Sequence, residues 1–206
     1  MYTTTTGAVD STFIAIIALC ILLFAAIIFF AVYFAIRYRR SRNPHPANLH
    51  GNWILEAAWI GVATILALAI FAYGLTSFNF LRAIPPDSIP IHLTAKQWSW
   101  LFTYDNGRKS TDLVVPQGKN IALTMETPDV IHGFFIPAYR VKQDIVPGMK
   151  TRLWFKAERE GTADIFCTQY CGTEHSKMLA TVFVVAPDVY QKWYDGEDVE
   201  IPGLTE

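Results

Sequence analysis

The chain has 206 residues, of which 52% are hydrophobic and only 17% are charged, and its formal net charge is −1. So high a hydrophobic content excludes an intrinsically disordered chain, and it is unlike a typical soluble domain, which carries about 25% charged residues. The near-zero net charge gives no basic surface for nucleic acid, and three cysteines are too few for a disulfide-rich secreted scaffold.

Two long apolar runs occupy the first part of the chain. Residues 11–36 and 57–81 contain no charged residue. Each run is longer than the roughly 20 helical residues that cross a bilayer core. We therefore predict a hairpin of two transmembrane helices within residues 1–81, since buried core helices rarely run so long without a charge. The first run lacks a preceding basic residue and exceeds the apolar core of a signal peptide, so we expect it to be a retained anchor.

The loop between the two runs indicates how the hairpin is oriented. It carries Arg37, Arg39, Arg40 and Arg42, and residues 37–55 contain no acidic residue. Short loops rich in arginine stay on the cytoplasmic side of a membrane. We therefore predict that both termini lie outside, with the C-terminal domain in the periplasm of a bacterial inner membrane.

The rest of the chain is rich in β-branched and aromatic residues. Residues 82–90 contain three prolines and are predicted to be a linker, and residues 91–206 are predicted to form one outer domain with a short acidic C-terminal tail. Many short strands separated by turn signals predict a Greek-key β-sandwich or barrel. A short helix is predicted from Asp188. The predicted strands are 89–94, 97–104, 111–115, 120–127, 133–136, 151–157, 163–166 and 180–185.

Metal-binding side chains are concentrated between the last two predicted strands. Cys167, Cys171, His175 and Met178 lie within twelve residues. Thiolate, thioether and imidazole ligands favour copper. A mononuclear blue-copper site uses one Cys, two His and a weak axial Met, so the second Cys points instead to two bridged copper ions, which need a second imidazole. His132, at a predicted loop-to-strand junction, is the candidate for it.

Two other interpretations of the cysteines stay open at this point. The spacing of Cys167 and Cys171 also fits a structural zinc site, although Met178 and a membrane-anchored β-domain argue against it. A disulfide between the two cysteines is compatible with an oxidising compartment.

The pattern Cys-x3-Cys-x3-His-x2-Met, which begins 35 residues after His132, resembles the binuclear CuA site of cytochrome c oxidase subunit II. The runs 97–104, 129–137 and 142–148 are also similar to that family. The order of two spans, linker and outer domain extends the resemblance over nearly the whole chain. The chain is therefore identified as resembling a member of this family, with a cupredoxin-like outer domain.

The resemblance implies six ligands for two copper ions. They are the bridging thiolates of Cys167 and Cys171, the imidazoles of His132 and His175, the thioether of Met178 and the backbone carbonyl of Gln169. The familiar oxidases carry Glu where Gln169 stands, and its carboxylate also binds Mg or Mn at the interface with subunit I. A neutral amide is a poorer ligand for a hard cation, which argues against that interface metal here.

The resemblance also implies roles for two further residues. Trp98 matches the aromatic residue at which electrons arrive, next to the docking surface for cytochrome c. Glu56 matches a Glu at the mouth of a proton-uptake path into subunit I, and its predicted place on the arginine-rich side suits uptake from that side.

The function implied is that of the electron-input subunit of an oxidase. Its CuA centre takes electrons one at a time from cytochrome c and passes them to haem in subunit I, which also holds CuB and reduces O2 with proton translocation. Subunit III is a further expected partner. One alternative is the CuA subunit of a haem-copper nitric oxide reductase. An alternative of another class is a copper-delivery protein, which would not need Trp98.

Overall fold

The computed structural model describes residues 4–45, 47 and 50–204 of the chain. These residues form two compact units. One is helical and comprises Asp10–Phe78. The other combines the residues up to Val9 with those from Asn79 onward, and it contains the β-rich domain.

The helical unit is built from two long helices, α1 (Thr5–Arg37) and α2 (Trp53–Arg82), whose ends extend into the β-rich unit. Asn52 caps α2, because its side-chain oxygen accepts hydrogen bonds from the first free backbone N–H groups. The hydroxyls of Thr12 and Ser77 lie 2.7 Å apart and link the two helices. Both helices are long and apolar enough to cross a membrane, and their most apolar stretches are not buried inside the protein. They are therefore consistent with a membrane protein.

The first turn of α1 belongs to the β-rich unit. The Thr4 hydroxyl accepts a hydrogen bond from the Gly7 N–H at 3.0 Å and so caps the helix. The Thr5 hydroxyl donates to the backbone carbonyl of Tyr139 at 3.0 Å. Thr5 and Ala8 are both buried. This turn is thus packed on the β-rich domain.

Ten strands form the β-rich domain, in two five-stranded sheets with the orders β3-β2-β1-β5-β8 and β4-β10-β9-β6-β7. The pairs β1/β5 and β4/β10 are parallel and the others are antiparallel. The prediction of a β-sandwich is thereby confirmed. The strands are β1 Ile89–Lys96, β2 Ser99–Tyr104, β3 Lys109–Ser110, β4 Leu113–Pro116, β5 Asn120–Glu126, β6 His132–Ile136, β7 Val141–Ile145, β8 Thr151–Lys156, β9 Gly161–Cys167 and β10 Leu179–Val185.

The core lies between the two sheets and follows the alternation of the strands. In β5, for example, Ile121, Leu123 and Met125 are fully buried while the residues between them are not. Trp100 and Phe134 meet edge to face, with ring centroids 5.6 Å apart, close to the end of the sandwich where β2 and β6 begin. This aromatic pair supports the loops at that end.

A C-terminal helix, α3 (Pro187–Asp195), closes the other end of the sandwich. Its Trp193 is buried against Tyr104, at a centroid distance of 4.9 Å. The Arg108 guanidinium lies 4.4 Å above the Trp193 ring and donates to the Trp193 carbonyl at 2.7 Å. The helix begins one residue before the predicted start at Asp188.

The structure differs from the predicted elements at three places. The spacer between α2 and β1 is only residues 83–88, shorter than the predicted linker 82–90. The prediction missed β3, which has two residues, and β7, which is a sheet edge with polar residues in its middle. The predicted strand 97–104 begins at Ser99, so Trp98 lies in a turn while Trp100 is in the core. A single strand over 97–104 would put both tryptophans on one face, since residues two apart share a face, and the turn at Trp98 separates them.

Candidate metal centre

The pairing of β6 with β9 brings together residues that are far apart in the sequence. Phe134 pairs with Cys167, the last residue of β9, and His132 is the first residue of β6. The Thr168 N–H then donates to the Gly133 carbonyl at 2.9 Å and continues the ladder by one step. Because of this register, His132 faces the start of the loop that joins β9 to β10.

Two thiols and two imidazoles form the centre of the cluster. The sulfurs of Cys167 and Cys171 are 3.8 Å apart. Nδ1 of His132 lies 3.9 Å from the Cys167 sulfur, and Nδ1 of His175 lies 3.5 Å from the Cys171 sulfur. Each sulfur therefore has an imidazole nitrogen of its own, in addition to the other sulfur.

Met178 and Gln169 complete the set of donor atoms. The Met178 sulfur lies 3.7 Å from the Cys171 sulfur, and the Gln169 backbone carbonyl oxygen lies 3.3 Å from the Cys167 sulfur. The loop after β9, with its short 3-10 turn at His175–Lys177, thus turns all these groups toward one point. The six donor groups that the resemblance implies as ligands therefore lie close together.

The surroundings of the cluster favour thiolates bound to a soft metal ion over free thiols. His132 is 0% exposed, Met178 1% and Cys171 3%. Burial, and after it the neighbouring Cys167, raises the pKa of the Cys171 thiol to about 11. The Cys171 thiol therefore resists ionisation unless a cation holds its thiolate. The donor set of sulfur and imidazole is the one that copper prefers.

A carboxylate outside the donor set orients His132. The Nε2 nitrogen of His132 lies 2.9 Å from Oδ1 of Asp129, which leaves Nδ1 directed at Cys167. Burial by itself would raise the pKa of Asp129. Hydrogen bonds from the Gln97 N–H, the His132 ring, the Val130 N–H and the Thr127 hydroxyl outweigh it and hold that pKa well below its usual range. An ionised partner of this kind fixes the tautomer of a ligating histidine.

The side chain of Gln169 is engaged away from its backbone carbonyl. Its amide donates to Oδ2 of Asp144, on β7, at 2.9 Å. The bond ties the loop after β9 to the edge strand of the same sheet. Sequence reasoning did not find Asp144, although it lies in the run 142–148 that resembles the family.

Gly133 allows the close approach of the two segments that carry the ligands. A Cβ atom at this position would collide with the Thr168 hydroxyl and would lie 3.0 Å from the Gln169 nitrogen. Only glycine therefore lets β6 and the loop pack as they do. The sequence signal was the glycine that directly follows His132.

Trp98 lies in the two-residue turn between β1 and β2, and 38% of its surface is exposed. Its indole ring rests against Gly172, because a Cβ atom there would lie 3.1 Å from two ring atoms. Gly172 directly follows Cys171. Glu56 lies in the first turn of α2, in the helical unit, and is no member of the cluster.

The chain is similar to known proteins that share one description, cytochrome c oxidase subunit 2. A family model described as cytochrome c oxidase subunit II, periplasmic domain, matches residues 108–185. Cytochrome c oxidase subunit 2 of Cereibacter sphaeroides is 30% identical over 226 residues, covering 90% of this chain and 74% of the relative. The alternative cytochrome c oxidase subunit 2 of Bradyrhizobium diazoefficiens is 28% identical, covering 92% of this chain and 80% of the relative.

A solved structure is similar as well. The crystal structure of the periplasmic domain of subunit II of cytochrome oxidase of Bradyrhizobium japonicum superposes with a TM-score of 0.52 at 31% identity. The match covers 55% of this chain and 95% of that domain. The similarity thus falls on the β-rich domain that carries the cluster.

Proposed function

Because the chain belongs to the cytochrome c oxidase subunit II family, we propose that it is the electron-input subunit of a haem-copper oxidase. It receives electrons from a cytochrome c and passes them to haem in subunit I, where O2 is reduced and protons are translocated. The observation that carries this proposal is the buried pair of thiols, each with its own imidazole. A copper-delivery protein needs to release its metal, which a set of six donors opposes when three of its residues, His132, Cys171 and Met178, are buried.

The family implies copper, and the donor set suits a binuclear centre. The thiolates of Cys167 and Cys171 and the imidazoles of His132 and His175 would hold the two copper ions. Met178 and the Gln169 carbonyl supply the remaining donor atoms. When bound, the copper pair supplies a redox couple that takes up and releases one electron.

The surrounding residues keep these ligands fixed and dry. Asp129 holds the His132 ring with Nδ1 toward the sulfurs, and the Gln169–Asp144 hydrogen bond holds the loop. Burial of His132 and Met178 keeps water away from one side of the cluster. A rigid, water-poor set of ligands changes little on a change of charge, which suits rapid electron transfer.

Trp98 is the residue at which electrons arrive. It is half-exposed on the outside and touches Gly172, next to Cys171, on the inside. An aromatic ring in this position connects a docked cytochrome c with the ligand loop. Subunit I, and with it subunit III, are the partners within the membrane.

The proposed orientation puts both termini and the β-rich domain outside, in the periplasm. The first turn of α1 packs on that domain through Thr5 and Tyr139, so the two lie on the same side. Two helical crossings return the chain to the side on which it began. The arginine-rich loop, and Glu56 just after it, then face the cytoplasm, where a proton-uptake path begins.

Purification of the full chain with its partner subunits tests the proposal. We expect two coppers per chain, a mixed-valence copper spectrum, and O2 consumption with reduced cytochrome c. One copper per chain, or mainly zinc, would overturn the binuclear centre. Consumption of nitric oxide in place of O2 would overturn the oxidase assignment and leave the centre intact.

A further inference from the structure

The turn between β1 and β2 consists of two residues, Gln97 and Trp98, between the paired residues Lys96 and Ser99. Such a turn is a surface feature, and an amide side chain there usually faces water. In this structure Gln97 is exposed as a residue, but its side-chain amide is hydrogen-bonded to the loop after β9. The side chain of Gln97 contacts the loop after β9, and its backbone contacts the segment before β6.

The first contact is made by the backbone of Gln97. Its N–H donates to Oδ2 of Asp129 at 2.7 Å. The other oxygen of the same carboxylate accepts the hydrogen bond from His132 at 2.9 Å. One carboxylate therefore joins the turn to the segment that begins β6.

The second contact is made by the side chain of Gln97. Its amide donates to the Cys171 carbonyl oxygen at 2.7 Å. Gly172, the next residue, has a φ of +127°, which favours glycine, and a Cβ atom there would lie 3.0 Å from the Gln97 amide nitrogen and 3.1 Å from the Trp98 ring. Gln97 and Trp98 thus cover the same residue of the ligand loop.

We infer that Gln97 is a positioning residue that holds the Trp98 ring against Gly172. One consequence of this inference rests on the proposed function. It is that Gln97 sets the contact between Trp98 and the Cys171 segment through which electrons pass. Without the bond to Cys171, the turn keeps its backbone link to Asp129. The Trp98 indole ring then loses the Gln97 side chain, which holds the ring next to Gly172.

The test compares Gln97→Leu with a matched control, Gln117→Leu, in the oxidase complex purified with its partner subunits. Gln117 also donates its amide to a backbone carbonyl, that of Glu158 at 3.3 Å, and it lies at the opposite end of the sandwich. Both variants should keep their copper content and copper spectrum, since neither side chain supplies a donor atom to the cluster.

Hydroxyl-radical labelling of Trp98, localised by mass spectrometry, reports the position of the ring without reference to activity. We expect labelling to rise in Gln97→Leu and not in Gln117→Leu. Trp98 as a whole residue is 38% exposed, so its accessible surface can rise to at most about 2.6 times its present value. Unchanged labelling in Gln97→Leu, or an equal rise in the control, would overturn the inference.

Kinetics with reduced mitochondrial cytochrome c test the consequence. Turnover of Gln97→Leu at saturating cytochrome c should fall about 10- to 100-fold with little change in KM, because a displacement of about 1 Å at a reacting group has effects of this size. The double variant with Trp98→Phe should be no slower than Trp98→Phe alone. Fully multiplicative losses would overturn a role through Trp98.

The role of Trp98 and the role of Gln97 can be disproved independently. If Trp98→Phe leaves cytochrome c oxidation unchanged, the proposed arrival of electrons at Trp98 is wrong. The labelling result then still decides whether Gln97 holds the ring.

Discussion

Nε2 of His132 lies 2.9 Å from Oδ1 of Asp129, and the opposite ring nitrogen faces the sulfur of Cys167. The histidine is fully buried, so its orientation is decided by this carboxylate and not by water. Asp129 stays ionised over the physiological pH range, because its hydrogen bonds keep its pKa low. The pair therefore acts as one unit toward a bound metal.

Asp129→Asn tests that unit. The variant keeps the size of the side chain and loses its charge, so the His132 ring is a weaker and less well oriented ligand. We expect copper affinity to fall about 10- to 100-fold, the range found for partners of ligating histidines, as measured by competition with a chelator. Asp112→Asn is the control, since Asp112 accepts the Thr181 N–H at 2.7 Å away from the cluster. Equal affinity in the two variants would contradict the prediction.

Cys171→Ser tests the bridging thiols. A hydroxyl is a harder and far less acidic ligand than a thiol, so it cannot replace a thiolate between two coppers. The variant should lose the mixed-valence spectrum and hold fewer than two coppers per chain by metal analysis. Met178→Leu, its control, should keep both coppers and shift only the redox potential, because an axial thioether mainly tunes it. A mixed-valence spectrum in Cys171→Ser would rule out this ligand set.

Gln169→Glu would place a carboxylate against Asp144, where an amide now donates a hydrogen bond at 2.9 Å. Copper content should not change, since the ligand is the backbone carbonyl. Two facing carboxyls raise the pKa of one of them. A group whose pKa is raised by folding favours the folded state at low pH, and this contribution is lost as the pH rises. We expect a loss of about 1–3 kcal/mol in unfolding free energy at pH 7.5, and less at pH 5.

Gln169→Leu is the control for this measurement. It removes the hydrogen bond and adds no charge, so its shift in melting temperature should depend little on pH. Added Mg²⁺ should raise the melting temperature of Gln169→Glu only if subunit I supplies further oxygen ligands. An ordered Mg²⁺ on the native Gln169 side chain would contradict the view that this amide serves Asp144.

Gly133→Ala tests the close approach of β6 and the ligand loop. The added methyl group would collide with the Thr168 hydroxyl and press on the Gln169 nitrogen. We expect a loss of about 1–3 kcal/mol in unfolding free energy together with weaker copper binding, because the two segments must separate. Gly74→Ala, in α2, is a control in which the new methyl group meets nothing within 4 Å. A wild-type melting temperature for Gly133→Ala would refute the prediction.

Glu56→Gln tests the proposed start of a proton path. The change keeps the size of the side chain in the first turn of α2 and removes its ability to carry a proton. Steady-state O2 consumption should fall severalfold, while reduction of the copper centre by cytochrome c keeps its rate. Glu126→Gln is the control, a change at an exposed carboxylate of the β-rich domain that lies 3.8 Å from Lys150. Full turnover in Glu56→Gln would remove Glu56 from the path.

The local ligand pattern was predictable and the contacts around it were not. Cys167, Cys171, His175 and Met178 lie in one loop, so their spacing alone indicated a metal cluster. His132 could be added because the number of thiols called for a second imidazole. The structure brings all five side chains to one point.

Asp129, Asp144 and Gln97 were missed for a physical reason. Their contacts depend on which strands are neighbours and in which register, and no periodicity in the sequence reports that. The edge strand β7 was missed because it is polar, as an edge exposed to water can be. Trp98 was assigned to a strand because the turn Gln97-Trp98 contains no glycine or proline, the residues that usually indicate a turn.

The contact between Thr5 and Tyr139 joins residues 134 positions apart in the chain. A ribosome adds about 5–20 residues per second, so the first turn of α1 exists on the order of ten seconds before its partner. During that interval the N-terminal turn has no β-rich domain on which to pack. The packing of this turn is therefore a late step of folding, which can be completed only after Tyr139 has been synthesised.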